Sequence, residues 1–175
     1  AAILAPVGWW GLAEYQRSRL LVFLNPNLDP LGAGYTVIQS KIGIGSGGLL
    51  GKGWLAGTQN QLNFLPERHT DFIFSVIGEE WGFVGTTLCL ALFALLFYRG
   101  LSMAAQTRDP YGRLVIAGLI GMLATHVVIN TGMTLGLAPV VGLPLPLLSY
   151  GGSWMLACLV SIAMILSIGV RRPVF

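Results

Sequence analysis

Three stretches of this 175-residue chain carry no charged side chain: Trp81–Tyr98, Leu114–Ala138 and Leu145–Val170. Each approaches or exceeds the roughly 20 residues that a helix needs to cross a hydrocarbon layer about 30 Å thick. A soluble core helix seldom runs so far without a charge, so the pattern predicts three transmembrane helices. Composition agrees, since 54% of the residues are hydrophobic and 10% are charged, against apolar usage of about 45–50% in soluble domains. The expected fold is an all-α polytopic membrane protein with spans at 71–98, 114–135 and 148–170.

The basic residues orient these spans. Arg99, Arg108 and Arg113 bracket the short connection at 99–113, and Arg171 and Arg172 sit in the tail at 171–175. Three spans bring those two places to one side, and basic residues favour the cytoplasm. The segment 11–70 and the connection 136–147 then face outward. The net charge of +3 is small, and no basic stripe with interleaved aromatics appears, which argues against a nucleic-acid partner. Cys89 and Cys158 fall inside apolar spans and read as small apolar filler rather than a disulfide or metal pair. The opening AAILAPVGWW has no initiating Met; residues 1–10 read as the end of a preceding span with Trp9 and Trp10 at the interface, so an earlier part of the protein is expected.

From Gly11 to Thr70 no spanning candidate exists, and a connection this long is usually functional or disordered. Apolar residues persist through it, which favours an ordered extracytoplasmic cap. EYQRSRLLVFL has a basic and an apolar face and suits a helix lying on the membrane. NPNLDPLGAG is turn chemistry, whereas YTVIQSKIGIG suits either a short helix or a strand. In GIGSGGLLGKGWLAGTQ, flanked and punctuated by Lys41 and Lys52, glycines let backbone amides approach an anion. The Walker pattern fails at Gly51-Lys52-Gly53. A phosphate cradle and a tightly turned loop without a ligand therefore both stand.

Charge gathers where the first span begins, in NFLPERHTDFIFSVIGEEWGFVG. Thr70 is a candidate N-cap, which places Asp71 in the first helical turn, where the dipole favours a carboxylate. Asp71 reads equally as a general base or as a residue that merely stabilises the helix start. Glu79 and Glu80 lie two turns deeper. Intramembrane carboxylates are costly and are usually functional or paired, with Arg68 or an arginine of a preceding helix as partner. Glu67, Arg68 and His69 mark the water boundary. His126 and Asn130 stack at i, i+4 in the second span and read as a polar pair bonding a neighbouring helix. Pro139, Pro144 and Pro146 forbid a regular helix in the uncharged GLAPVVGLPLPLLSYGGSW, which suits a partly re-entrant connection. No H-E-x-x-H pair or nucleophile elbow is present. The residues themselves imply lipid-linked, anionic substrates at a membrane surface.

FLPERHTDFIFSVIGEEWGFVG and GLAPVVGLPLPLLSYGGS strongly resemble the shape, elongation, division and sporulation (SEDS) family of bacterial membrane proteins. The wording of FLNPNLDPLGAGY and QSKIGIGSGGLLGKGWLAGTQNQLNFLPERHTDFIF is similar to its rod-shape-determining (RodA) branch. One departure is Trp154, where Ser or Ala is expected. The resemblance implies a fold of ten spans, of which this chain holds the last three. It implies a peptidoglycan glycosyltransferase that polymerises lipid II during cell elongation, with a class B penicillin-binding protein and the elongation machinery as partners. Asp71 corresponds to the family's essential aspartate and is the expected base. Arg68, Lys41 and Lys52 are the expected stabilisers of the leaving pyrophosphate, and Glu79, Glu80 and Ser149 complete the candidate substrate-binding set. A divalent cation bridging Asp71 and pyrophosphate is a further expectation. A lipid II flippase and a scaffold recruiting a cell-wall synthase predict the same topology and stand as alternatives.

Overall fold

The computed structural model describes residues 13–25, 32–58 and 70–170. They form five helices: α1 (Glu14–Leu24), α2 (Ala33–Gly47), α3 (Ile73–Gln106), α4 (Pro110–Thr134) and α5 (Gly152–Val170). No strand occurs among the described residues. The end of a preceding span at 1–10, the run Glu67–His69 and the basic tail at 171–175 lie outside them.

Helices α3, α4 and α5 are long and apolar enough to cross a membrane. Only 17%, 28% and 17% of their most apolar windows are buried. The remaining apolar surface faces outward, as it does on helices whose solvent is lipid rather than water. On sequence the first span closes at Tyr98, yet α3 continues to Gln106. Arg99 ends the apolar run without ending the helix, because RGLSMAAQ is rich in good helix formers. The Thr107 hydroxyl then donates to Met103 O at 2.8 Å. α4 starts at Pro110, ahead of Leu114, because Asp109 accepts from the amides of Tyr111 and Gly112 and proline suits the first helical position.

The segment YTVIQSKIGIG is helical. Its buried residues Gly34, Val37, Ser40, Gly43 and Gly47 recur every three or four positions, which is one face of a helix. That face of small residues lies on the first turns of α3 and crosses it where Gly47 meets Gly78. Ser40 ties α2 to the end of α4 through a 2.8 Å bond to Thr134 O.

The feature that most shapes this end of the molecule is a break in α3. Gly82 has φ 65° and ψ −157°, a conformation open to glycine alone at little cost. The break exposes backbone groups that must find partners inside a membrane, where each unsatisfied group costs several kcal/mol. The turn after α2 supplies them. Lys52 N donates to Glu79 O and Gly53 N to Glu80 O, both at 3.0 Å, while Phe83 N and Val84 N donate to Gly48 O and Leu49 O at 2.9 and 3.1 Å. A side chain at Gly51 would collide with Glu80 O, and one at Gly82 with Gly51 N. The glycine-rich run thus plugs a broken helix with its amides, and the phosphate-cradle reading gives way to this one.

Two apolar clusters hold the bundle. Phe74, Phe93, Val127 and Leu145 pack near the break, and Ala104, Ile116, Ile120 and Ile165 pack towards the other end. Phe97 rests against both. α3 packs chiefly on α2 and α4, and α5 lies on both α4 and α3.

Candidate active site

Asp71 lies in a turn ahead of α3 rather than in its first helical turn. The N-cap position is Phe72, with no side-chain cap, so Thr70 does not play the part its type suggested. The turn is fixed through its backbone. Asn130 Nδ2 donates to Asp71 O at 2.8 Å and to Leu143 O at 2.7 Å. The Ser149 hydroxyl donates to Thr70 O and accepts from Leu145 N at 2.7 Å. Ser75 donates to Phe72 O through both its amide and its hydroxyl. Phe72 is 2% exposed and anchors the turn from below. Two sequence-distant residues, Asn130 and Ser149, and the local Ser75 therefore lock Asp71 and the residues on both sides of it.

The aspartate itself is half-buried and lines a cleft of about 500 Å³ with Arg19, Thr36, Thr70, Phe72, Val140 and Gly142. Gly142 has φ 76°, and a Cβ there would stand 3.2 Å from Asp71 Oδ2 and 3.9 Å from Arg19 Nη1. Arg19 comes from α1. It donates from Nη1 to Val140 O at 2.6 Å and its guanidinium lies 4.4 Å over the Tyr15 ring. On sequence α1 reads only as a surface helix, so this arginine was not among the candidates. Its one signal was its place, with Arg17, on the basic face of EYQRSRLLVFL.

The structure separates the other candidates. Glu79, 1% exposed, forms an ion pair with Lys52 at 2.9 Å. The Thr58 hydroxyl also donates to Glu79 Oε1 at 3.1 Å and accepts from Lys52 Nζ at 2.8 Å. Arg68, one of the partners expected for this carboxylate, lies outside the described residues; among the described residues Lys52 pairs with it. The Lys52–Glu79 pair sits roughly 9 Å along α3 from Ile73, at 1.5 Å per residue, and closes the plug over the helix break. Glu80 is 7% exposed, and its carbonyl also serves the plug. Ser149 is buried at 1% and faces Thr70, so it orients the aspartate turn. Lys41 is exposed on α2, lies against Gly136 and, with Arg19 and Val140, lines a small pocket beside the Asp71 cleft.

His126 and Asn130 do not act as a pair. Asn130 serves Asp71, whereas His126 bonds Met122 O at 2.9 Å and stacks on Trp154 with ring centroids 4.4 Å apart. That stack gives the indole at position 154 its packing role. Among the described residues no three His, Cys, Asp or Glu side chains converge as a metal site.

An all-helical membrane protein with a braced carboxylate in a cleft at one end of its bundle is the class that this fold and site define. The family model described as a cell cycle protein (FtsW, RodA, SpoVE) matches residues 1–173, and the chain belongs to that family. It is 53% identical over 172 residues to "Peptidoglycan glycosyltransferase MrdB" of Escherichia coli (strain K12), covering 98% of this chain and 46% of the relative. It is 48% identical to "Peptidoglycan glycosyltransferase RodA" of Treponema pallidum (strain Nichols), covering 92% of this chain and 37% of the relative. A solved structure, "Structural coordination of polymerization and crosslinking by a peptidoglycan synthase complex", matches with a TM-score of 0.76 and 42% identity over 99% of this chain and 47% of that one. The chain spans about half the length of the relatives it matches, or less.

Proposed function

We propose that this chain carries the base-bearing face of a peptidoglycan glycosyltransferase that polymerises lipid II in cell elongation. The observation that carries the reading is Asp71, a carboxylate locked by Asn130 and Ser149 into a cleft floored by Gly142. Family membership and the printed names of the relatives supply the reaction class.

In this reading Asp71 accepts the proton of the acceptor sugar's 4-hydroxyl as that oxygen attacks the donor's anomeric carbon. The new C–O bond forms as the bond to pyrophosphate breaks, and the electron pair leaves with undecaprenyl pyrophosphate. An α-linked donor becomes a β-1,4 product, with inversion. Pyrophosphate is a weak base and leaves without a protonating acid, so one carboxylate suffices where glycosidases use two. The backbone locks keep the carboxylate within hydrogen-bonding reach of a bound hydroxyl, which general-base catalysis requires.

The cleft faces the outside of the bacterial cytoplasmic membrane in this account, as the one-sided arginines suggest. The partner is a class B penicillin-binding protein, in line with a structural relative that is a complex of polymerization and crosslinking. Arg68, outside the described residues, is retained as a cation for the leaving group. Lys52 and Glu79 act at a distance by holding the α3 break, and Ser149 acts by holding the turn. In the full-length protein with its partner, Asp71→Asn should abolish glycan strands on a gel while leaving the thermal transition in place. Strands of ordinary yield would turn the reading towards a flippase or a scaffold.

A further inference from the structure

The reaction proposed above needs a cation near the base to receive a departing diphosphate, and one cation singled out on sequence is engaged elsewhere. Lys52 is held by Glu79 at 2.9 Å. Arg68 lies outside the described residues. Arg19, in contrast, stands on the wall of the Asp71 cleft.

Its position relative to the base can be bounded. One point, the place of a Cβ on Gly142, is 3.2 Å from Asp71 Oδ2 and 3.9 Å from Arg19 Nη1. The two groups are therefore no more than about 7 Å apart. A side chain at 142 would stand beside both groups, so glycine there keeps their shared face of the cleft open. Arg19 is also preset. The Tyr15 ring supports the guanidinium from one face, and Val140 O takes one of its five donors. A planar guanidinium held in this way loses little freedom when it meets phosphate oxygens in a two-pronged contact.

A second cation continues the line. Lys41 lies against Gly136, and Arg19, Lys41 and Val140 together line the adjoining pocket. Gly136 and Gly142 both have positive φ, 69° and 76°; the first leaves the space that Lys41 occupies, and the second leaves room beside Asp71 and Arg19. The segment between them carries Lys41, Arg19 and Asp71 in that order along its surface.

We infer that Arg19, continued by Lys41, binds the diphosphate of the sugar substrate whose reacting group lies at Asp71. This rests on the glycosyl-transfer reading of the cleft, and it makes Arg19 a substrate-contacting residue of α1.

The test uses the full-length protein with its transpeptidase partner and two readouts, the KM for lipid II and inhibition of polymerisation by inorganic pyrophosphate. Arg19→Gln should raise both the KM and the half-inhibiting pyrophosphate concentration by about tenfold or more, since it removes a charge-assisted contact. Arg19→Lys should recover part of that loss, because the charge returns although the Tyr15 and Val140 contacts do not. Lys41→Gln should give a smaller shift in the same direction. Calorimetry of pyrophosphate binding to the Asp71→Asn protein removes turnover from the question: binding should persist there and vanish when Arg19→Gln is added. Unchanged pyrophosphate inhibition in Arg19→Gln overturns the inference, as does Arg19→Lys behaving no better than Arg19→Gln. Inorganic phosphate competing as well as pyrophosphate overturns the diphosphate assignment. If Asp71→Asn still polymerises while Arg19→Gln abolishes pyrophosphate binding, the anion site stands and the general-base reading falls. Should Arg19→Gln lose its thermal transition, Arg19→Lys and Lys41→Gln decide the matter.

Discussion

Replacing Lys52 with Met separates a structural from a substrate-binding lysine. Glu79 is 1% exposed and Lys52 28%, so the carboxylate depends on its partner far more than the ammonium does. Removing one member of a fully buried pair costs about 3–5 kcal/mol, because the other charge is stranded. Water reaches this lysine, and the Thr58 hydroxyl still donates to Glu79 Oε1, which together bring the expected loss to about 2–3 kcal/mol. Glu79→Gln strands only the better-solvated partner and should cost about 1 kcal/mol. The double variant Lys52→Met/Glu79→Gln should then be more stable than the sum of the single losses, by a coupling of about 1–2 kcal/mol. Thermal unfolding of the full-length protein in detergent reads all four corners of the cycle. At a temperature where Lys52→Met remains folded, its KM for lipid II should stay within about twofold of the parent, because a clamp lost from a folded protein removes no substrate contact. Additive losses, or an intact thermal transition with a large rise in KM, would refute the clamp and return Lys52 to the substrate.

Three further outcomes follow from the same geometry. Gly51→Ala places a methyl against Glu80 O at a residue with φ 81°; strain of about 1–3 kcal/mol plus the lost plug should leave little folded protein by size-exclusion chromatography. Asn130→Leu leaves Asp71 O and Leu143 O without their buried donor, which should lower stability by about 1–3 kcal/mol; at a permissive temperature it should cut kcat more than it raises KM. Gly142→Ala puts a methyl 3.2 Å from Asp71 Oδ2 at a residue with φ 76°, at a strain of about 1–3 kcal/mol; at a temperature where circular dichroism shows it folded, polymerisation on a gel should fall at least tenfold.

The three spans were legible because hydropathy over some 20 residues is a strong signal and lipid imposes it without regard to tertiary detail. Asp71 was legible as a candidate but not as a site. Its surroundings are assembled from α1, α4 and the connection before α5, and no local pattern links Arg19, Asn130, Gly142 and Ser149. The glycine run left two readings open for a physical reason. A run whose amides approach an anion and a run whose amides approach a broken helix have the same composition, and only the partner, Gly82 and its flanking carbonyls, tells them apart. Helix ends were the least readable feature. Arg99 ended a hydropathy window at a place where α3 continued, and the boundary was set instead by Thr107 and the Asp109–Pro110 cap. The small-residue face of α2, with Gly34, Val37, Ser40 and Gly43 at helical spacing, was present in the sequence and would have decided helix over strand.

The central claim is that Asp71 takes a proton from an attacking sugar hydroxyl. The measurement that meets it most directly is the initial rate of glycan polymerisation from purified lipid II by the full-length protein with its partner, compared between Asp71 and Asp71→Asn at equal folded concentration. Loss of a general base lowers the rate by about 10²–10⁴-fold, and the account predicts a fall in that range with lipid II still bound. An Asp71→Asn protein that polymerises within tenfold of the parent rate would contradict it.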